Sequence, residues 1–191
     1  TDDRVQAMAV VCGFAEPDKY PAISAILHDK SYASSYMEKY VMDALFKMGE
    51  PEYAVERVQR KYGPMVYHPD HTTLFEGWLV GSGIYGGGST NHAWSGGPLI
   101  SMCQLILGVN PVSAGWKTFT VAPNPESIKE VDLVIPSAAG NIAYSYSDTD
   151  SVFTLRLSVP SGAEAHVTMP YSGEQSILKA GEHTLVANKN N

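Results

Sequence analysis

The sequence predicts an α-then-β protein, with a helical part over residues 1–115 and a small antiparallel β-sandwich over residues 116–191. Two observations carry this. Up to about residue 115 apolar side chains recur every three or four residues, the period of a helix with one buried face. From Lys117 the period drops to two, and the intervening segments carry Gly, Pro, Asn and Asp, as in short strands joined by tight turns.

In the helical part, Val5, Met8, Ala9 and Cys12 mark a first helix, and Gly13 offers a stop. A weaker segment follows Pro21, over residues 23–28. The clearest helix spans residues 34–48: Met37, Tyr40, Val41, Ala44, Leu45 and Met48 form a stripe, with Glu38, Lys39 and Asp43 opposite. Gly49 stands where a left-handed residue ends a helix. Pro51 suits the first turn of another, where its missing N–H would be unpaired anyway. That helix is expected to reach Tyr62, with Arg57, Arg60 and Lys61 at its negative C-terminal end. A last helix is expected over residues 98–107, stopped by Gly108.

In the second part, strands are expected over residues 118–122, 131–135, 142–146, 152–159, 165–169 and 184–187, separated by turn sequences that include Pro160-Ser161-Gly162. Alternation of Phe153, Leu155, Leu157 and Val159 with Thr154, Arg156 and Ser158 marks a half-buried strand. Six or seven strands over about 75 residues suit a small sandwich.

Composition narrows the function. The chain has 191 residues, 13 basic and 20 acidic, for a net charge of −7. Such a balance lacks the basic footprint a nucleic-acid binder needs. No apolar run approaches the ~18 residues of a membrane span. Cys12 and Cys103 alone exclude a disulfide scaffold and a cysteine-based zinc site. The chain opens on Thr1, which fits either a processed terminus or a piece of a longer protein; compartment stays open.

The chemistry is expected between the two parts. Residues 63–97 hold nine of the 17 glycines, three of the six histidines (His68, His71, His92) and two of the three tryptophans (Trp78, Trp94). From Tyr62 to Trp116 there is no Lys or Arg, and Asp70 and Glu76 are the acids. Long connections of this kind are functional or disordered, and Phe75, Trp78, Tyr85 and Trp94 favour order. A carboxylate at Glu76 among Leu74, Phe75 and Trp78 suits general acid or base work, its pKa raised by desolvation. The plain alternative is a helix cap or a distant ion pair. Aromatic faces can pack on sugar C–H groups, while Asn91 and His92, just before the helix at Pro98, can bind hydroxyls. Asn91 or Ser95 can equally serve as a cap, and Trp78 and Trp94 as core.

A metal site at His68, Asp70, His71 and His92 lacks a recognised spacing. Gly86-Gly87-Gly88 has neither a following Lys nor strand-then-helix flanks, so a phosphate cradle is not expected. Asp148 and Asp150 read as turn residues and not as a calcium loop. No cofactor is expected.

Taken together, Thr72-Thr73-Leu74-Phe75-Glu76-x-Trp78, Asn91-His92-Ala93-Trp94-Ser95-Gly96-Gly97, Leu107-Gly108-Val109, Gly115-Trp116-Lys117-x-Phe119 and Val121-x-Pro123 resemble the bacterial α-L-rhamnosidases of glycoside hydrolase family 78. Ser35-Tyr36-Met37-Glu38 and Met42-Asp43-Ala44-Leu45 add to the resemblance, which spans about the whole chain. It implies that residues 1–115 are the last helices of an (α/α)6 barrel, the catalytic domain, and that residues 116–191 are its C-terminal β-sandwich. It implies an inverting mechanism with Glu76 as general base, His92 and Asn91 on the sugar, and Trp78 and Trp94 shaping the pocket. The general acid would lie outside the chain. Phe75, where the family usually has Trp, and Gly77, where a bulkier residue is common, are departures that bear on the sugar recognised.

The expected partners are a carbohydrate substrate and the remaining N-terminal part of the same enzyme. Self-association through uncovered apolar helix faces is a further expectation. The readings set against catalysis are a carbohydrate-binding module without chemistry and a purely structural piece.

Overall fold

The computed structural model describes residues 1–80 and 88–189. Tyr85, Gly86 and Gly87 lie outside the described residues. Helices come first and strands second, as the change of period requires, and the chain divides into two compact units, Thr1–Ser101 and Met102–Asn191. Among the described residues no helix is long and apolar enough to cross a membrane.

The first unit holds α1 (Asp3–Val11), α2 (Tyr20–Asp29), α3 (Glu38–Lys47), α4 (Pro51–Val66) and α5 (Gly97–Ser101). Asp2 caps α1 by accepting the Arg4 amide at 2.9 Å. The face of α1 that is buried is not the one expected: Asp3, Ala7 and Val10 are inside, whereas Val5 is 62% exposed. A carboxylate at the head of the buried stripe disguised it as a polar face.

That carboxylate belongs to a buried ionic network. Arg57 on α4 pairs with Asp3 at 2.8 Å and with Glu38 on α3 at 2.9 Å, and all three side chains are nearly solvent-free. Its guanidinium also donates to the carbonyls of Leu27 and Lys30, closing the C-terminal end of α2. Asp3 in turn accepts the amides of Tyr32 and Ala33 at 3.1 and 3.2 Å, and Lys61 pairs with Glu38. So Arg57 and Lys61 do not simply face a helix end, and Glu38 does not lie on a solvated face. Burial opposes the charge on Arg57, but Glu38 and Asp3 outweigh it and hold the guanidinium protonated. At Lys61 burial prevails and lowers the pKa.

The expected helix over residues 34–48 starts later, at Glu38, because Ser34–Met37 form a turn in which the Ser34 hydroxyl accepts the Met37 amide. Conversely α4 runs past Gly63 and Pro64 to Val66, and the Tyr67 amide still donates to the Gly63 carbonyl at 2.9 Å. α5 packs closely on α3: a Cβ on Gly97 would lie 2.8 Å from that of Lys39.

In the second unit a π-type turn over Met102–Ile106 leads to Gly108, which takes φ +68°. The strands are β1 (Asn110–Pro111), β2 (Thr118–Val121), β3 (Glu130–Ser137), β4 (Gly140–Asp148), β5 (Val152–Thr168) and β6 (Gln175–Asn188), in one six-stranded sheet. The sheet is mixed, not wholly antiparallel: β2 runs parallel to β5, with Phe119 opposite Ala165. A parallel pair needs a long crossover, and the β3–β4 hairpin supplies it.

Pro160-Ser161-Gly162 does not separate two strands. It makes an irregularity between Val159 and Glu164, so that β5 pairs with β4 through its first half and with β2 through its second. Phe119, Val121, Ile142, Phe153, Leu155 and Leu157 form the core.

Candidate active site

Between α4 and α5 two short segments, around Leu74–Glu76 and Ser89–His92, lie against each other. The Glu76 amide donates to the Ser89 carbonyl at 3.0 Å, and the His92 amide to the Leu74 carbonyl at 2.9 Å. The Thr73 hydroxyl bonds the Thr90 carbonyl. This pairing sets the imidazole of His92 beside the carboxylate of Glu76, Nδ1 to Oε2 3.8 Å, with the two side chains 34% and 21% exposed.

The backbone under Glu76 is held from three sides. Its carbonyl accepts the Ser35 hydroxyl at 2.7 Å and the Trp94 indole N–H at 3.1 Å, while the Ser95 hydroxyl bonds the carbonyl of buried Phe75 at 2.5 Å. Ser95 is therefore not a helix cap. These contacts leave the side-chain carboxylate of Glu76 as the adjustable part of the residue, next to one titratable neighbour and reachable by solvent. A carboxylate so placed can take a proton from water or hold one for donation.

Aromatic rings flank the pair. The Trp94 ring lies 4.3 Å from that of His92 and 5.6 Å from that of Tyr36, and it is 39% exposed. The Tyr36 hydroxyl is 3.3 Å from that of Tyr40. The surface offers flat apolar faces beside a carboxylate and an imidazole, the combination that suits a ring carrying both C–H faces and hydroxyls. Of the residues singled out from the sequence, Glu76, His92 and Trp94 share this neighbourhood.

Trp78 has a different environment. Its indole N–H donates to the Ala33 carbonyl at 3.0 Å, its ring meets Tyr62 edge-on at 5.1 Å, and Lys61 stands 4.5 Å from its centre. Asn91 is exposed, and its carbonyl accepts the Ser89 hydroxyl. His68 and His71 pack against Phe75, at 5.4 and 5.6 Å between ring centres, and no group of three or more metal-ligating side chains occurs among the described residues.

Tyr36, Ser35 and Ser95 were not singled out from the sequence as site residues. Tyr40 reads as part of an apolar stripe, and Tyr36, which lies outside that stripe, gains its place only where Trp94 comes against it.

An α-then-β chain with this carboxylate and imidazole is similar, over nearly its whole length, to glycoside hydrolases of known structure. The relatives are α-L-rhamnosidases, and the likeness is to their C-terminal portion: residues 108–184 match the family model of the bacterial alpha-L-rhamnosidase C-terminal domain. Across 125 residues, 62% of the chain, it is 26% identical to an alpha-L-rhamnosidase of Formosa agariphila, and the match covers 13% of that protein.

The crystal structure of a GH78 family rhamnosidase from Bacillus sp. GL1 aligns with 88% of the chain at 28% identity and a TM-score of 0.71, over 19% of that protein. Two further alpha-L-rhamnosidases share the fold over 97% of the chain. That of Aspergillus terreus gives a TM-score of 0.76 at 18% identity, and that of Streptomyces avermitilis, in complex with L-rhamnose, 0.75 at 17%. The chain spans about a quarter or less of the length of these relatives.

Proposed function

We propose that the chain is the C-terminal part of an inverting glycoside hydrolase acting on α-L-rhamnosides, with Glu76 as general base. The observation that carries this is the Glu76 carboxylate beside the His92 imidazole at 3.8 Å, walled by the exposed ring of Trp94. In this reading residues 1–115 supply the last helices of an (α/α)6 barrel and residues 116–191 its β-sandwich domain.

An inverting hydrolase places two carboxyl groups about 6.5–9.5 Å apart. Glu76 takes a proton from the attacking water as its oxygen bonds the anomeric carbon. An acid from the rest of the enzyme protonates the departing glycosidic oxygen on the opposite face. His92 and Asn91 hydrogen-bond sugar hydroxyls, and Trp94 and Trp78 shape the pocket. With the acid absent, the 191-residue chain alone is not expected to turn over.

The test is hydrolysis of an aryl α-L-rhamnoside by the longer enzyme and by its Glu76→Gln variant. Loss of a general base lowers the rate by about 10²–10⁴-fold, and a loss of that size with the fold intact is expected. Activity indifferent to the substitution would move the base elsewhere. Sugar binding without turnover in either protein would instead favour a carbohydrate-binding module.

A further inference from the structure

We propose that the outer face of the second unit, where β2, β5 and β6 lie side by side, is a binding site for a neutral saccharide, built from residues other than those of the Glu76 loop. The strand register sets out a polar surface in rows. Asn110, Thr120, His166 and Ile177 stand abreast on β1, β2, β5 and β6, and the next row pairs Thr168 with Gln175. Because side chains alternate across a strand, these residues share one face, while Phe119, Val121, Ala165 and Val167 point their side chains into the core.

Gln104, from the π-type turn, completes the wall of an open groove of about 650 Å³. That is within the roughly 300–1,000 Å³ usual for small-ligand sites.

The chemistry of the lining selects the ligand. The groove contains carboxamides, hydroxyls and one imidazole, and no Lys, Arg, Asp or Glu. Its lining therefore carries no Lys, Arg or carboxylate to hold a phosphate, a carboxylate or an ammonium group, and the charges in the neighbouring row, Glu164 and Lys179, are paired with each other. Carboxamides both donate and accept, as sugar hydroxyls do. The side-chain amides of Gln104 and Gln175 and the hydroxyl of Thr168 make no hydrogen bond among the described residues, so they are available without breaking a protein contact.

His166 is oriented from outside the groove: its Nε2 lies 2.9 Å from the Glu164 carboxylate, which is itself paired with Lys179. Nδ1 is left to the ligand. Ile177, 60% exposed, and Ala122 give the small apolar surface that a pyranose C–H face covers. A peptide strand would need a free backbone edge at this groove. The lining instead lies on the face of three strands already paired with one another.

The inference does not rest on the role proposed for Glu76, and its test separates the two. The chain is titrated with L-rhamnose, with maltotriose and with inorganic phosphate while backbone amide NMR shifts are followed. One of the sugars is expected to shift the amides of Thr120, His166, Thr168 and Gln175 saturably, and phosphate to leave them in place. Thr168→Val and Gln175→Ala, both compatible with strands, are expected to weaken this binding about tenfold, the worth of one or two hydrogen bonds. Glu76→Gln is expected to leave it unchanged. No saturable shift with either sugar, shifts indifferent to both substitutions, or an equal response to phosphate would overturn the proposal.

Discussion

Gly108 shows how much one residue can decide. It takes φ +68°, and a Cβ there would lie 2.0 Å from the Ala122 carbonyl oxygen, against which its own carbonyl already accepts the Ala122 amide at 3.2 Å. Gly162 has a similar φ of +78° but open space around it. Gly108→Ala is therefore expected to cost more than about 2 kcal/mol, and Gly162→Ala about 1 kcal/mol, from conformation alone. Denaturant midpoints of the two variants decide it, and equal losses would refute the close-approach argument.

Asp148 is a second such residue. Its side chain is solvent-free, and burial pushes its pKa up. Hydrogen bonds from Lys189, Tyr171 and Lys129 outweigh that and bring it below the ordinary 3.8. The unfolded chain thus binds the proton more readily, so the stabilisation is complete above about pH 5 and is lost as pH falls through the lower folded value. Asp148→Asn is expected to flatten the acid limb of the stability curve of the second unit, followed by circular dichroism between pH 2 and 6; an unaltered limb would show that other carboxylates set it. Gly108 was legible as a helix stop because its residue type is specific to that geometry. Asp148 was legible only as a turn residue, because its three partners come from three separate segments.

Among elements, the buried network around Arg57 ties the helical unit together by joining α1, the end of α2, α3 and α4. Arg57→Leu would take the guanidinium from buried Asp3 and leave Lys61 as the remaining cation on Glu38, and removing one member of a buried ion pair costs about 3–5 kcal/mol. Urea unfolding followed by tryptophan fluorescence is expected to show such a loss. A smaller penalty, below about 1 kcal/mol, would mean that water or Lys61 replaces the guanidinium.

Sequence periodicity located α1, α3 and α4, but it set Glu38 opposite the apolar stripe, read Arg57 as a charge at a helix end and gave Asp3 no place. A hydrophobic stripe is recognised by what is apolar, and here Asp3 and Glu38 occupy core positions because Arg57 and Lys61 together offset their two charges. The same limit applies to β5. Pro160 and Gly162 carry turn chemistry, yet pairing with β6 along both halves carries the strand through them.

At the scale of the whole molecule, order and type of structure were readable because helix and strand periods differ and the change at Lys117 is abrupt. That Glu76 and His92 are neighbours has another reason. Glu76 and His92 lie 16 positions apart, but the segments that carry them lie against each other, pairing Glu76 with Ser89 and Leu74 with His92. Tyr36 reaches the same neighbourhood from the far side of α3 and α4, a distance in sequence that no local pattern records.

The parallel pairing of β2 with β5 carries a consequence for how the second unit is made. Phe119 must wait for Ala165, 46 positions later in the chain, before its strand gains that neighbour. During synthesis from the N-terminus, β2 leaves the ribosome as an apolar segment with one edge open, while the β3–β4 hairpin, whose contacts are local, can already close. Folding of this unit is consequently gated by its longest loop closure, a slow class of event. The interval before Val167 emerges is when the nascent chain is most exposed to wrong strand partners.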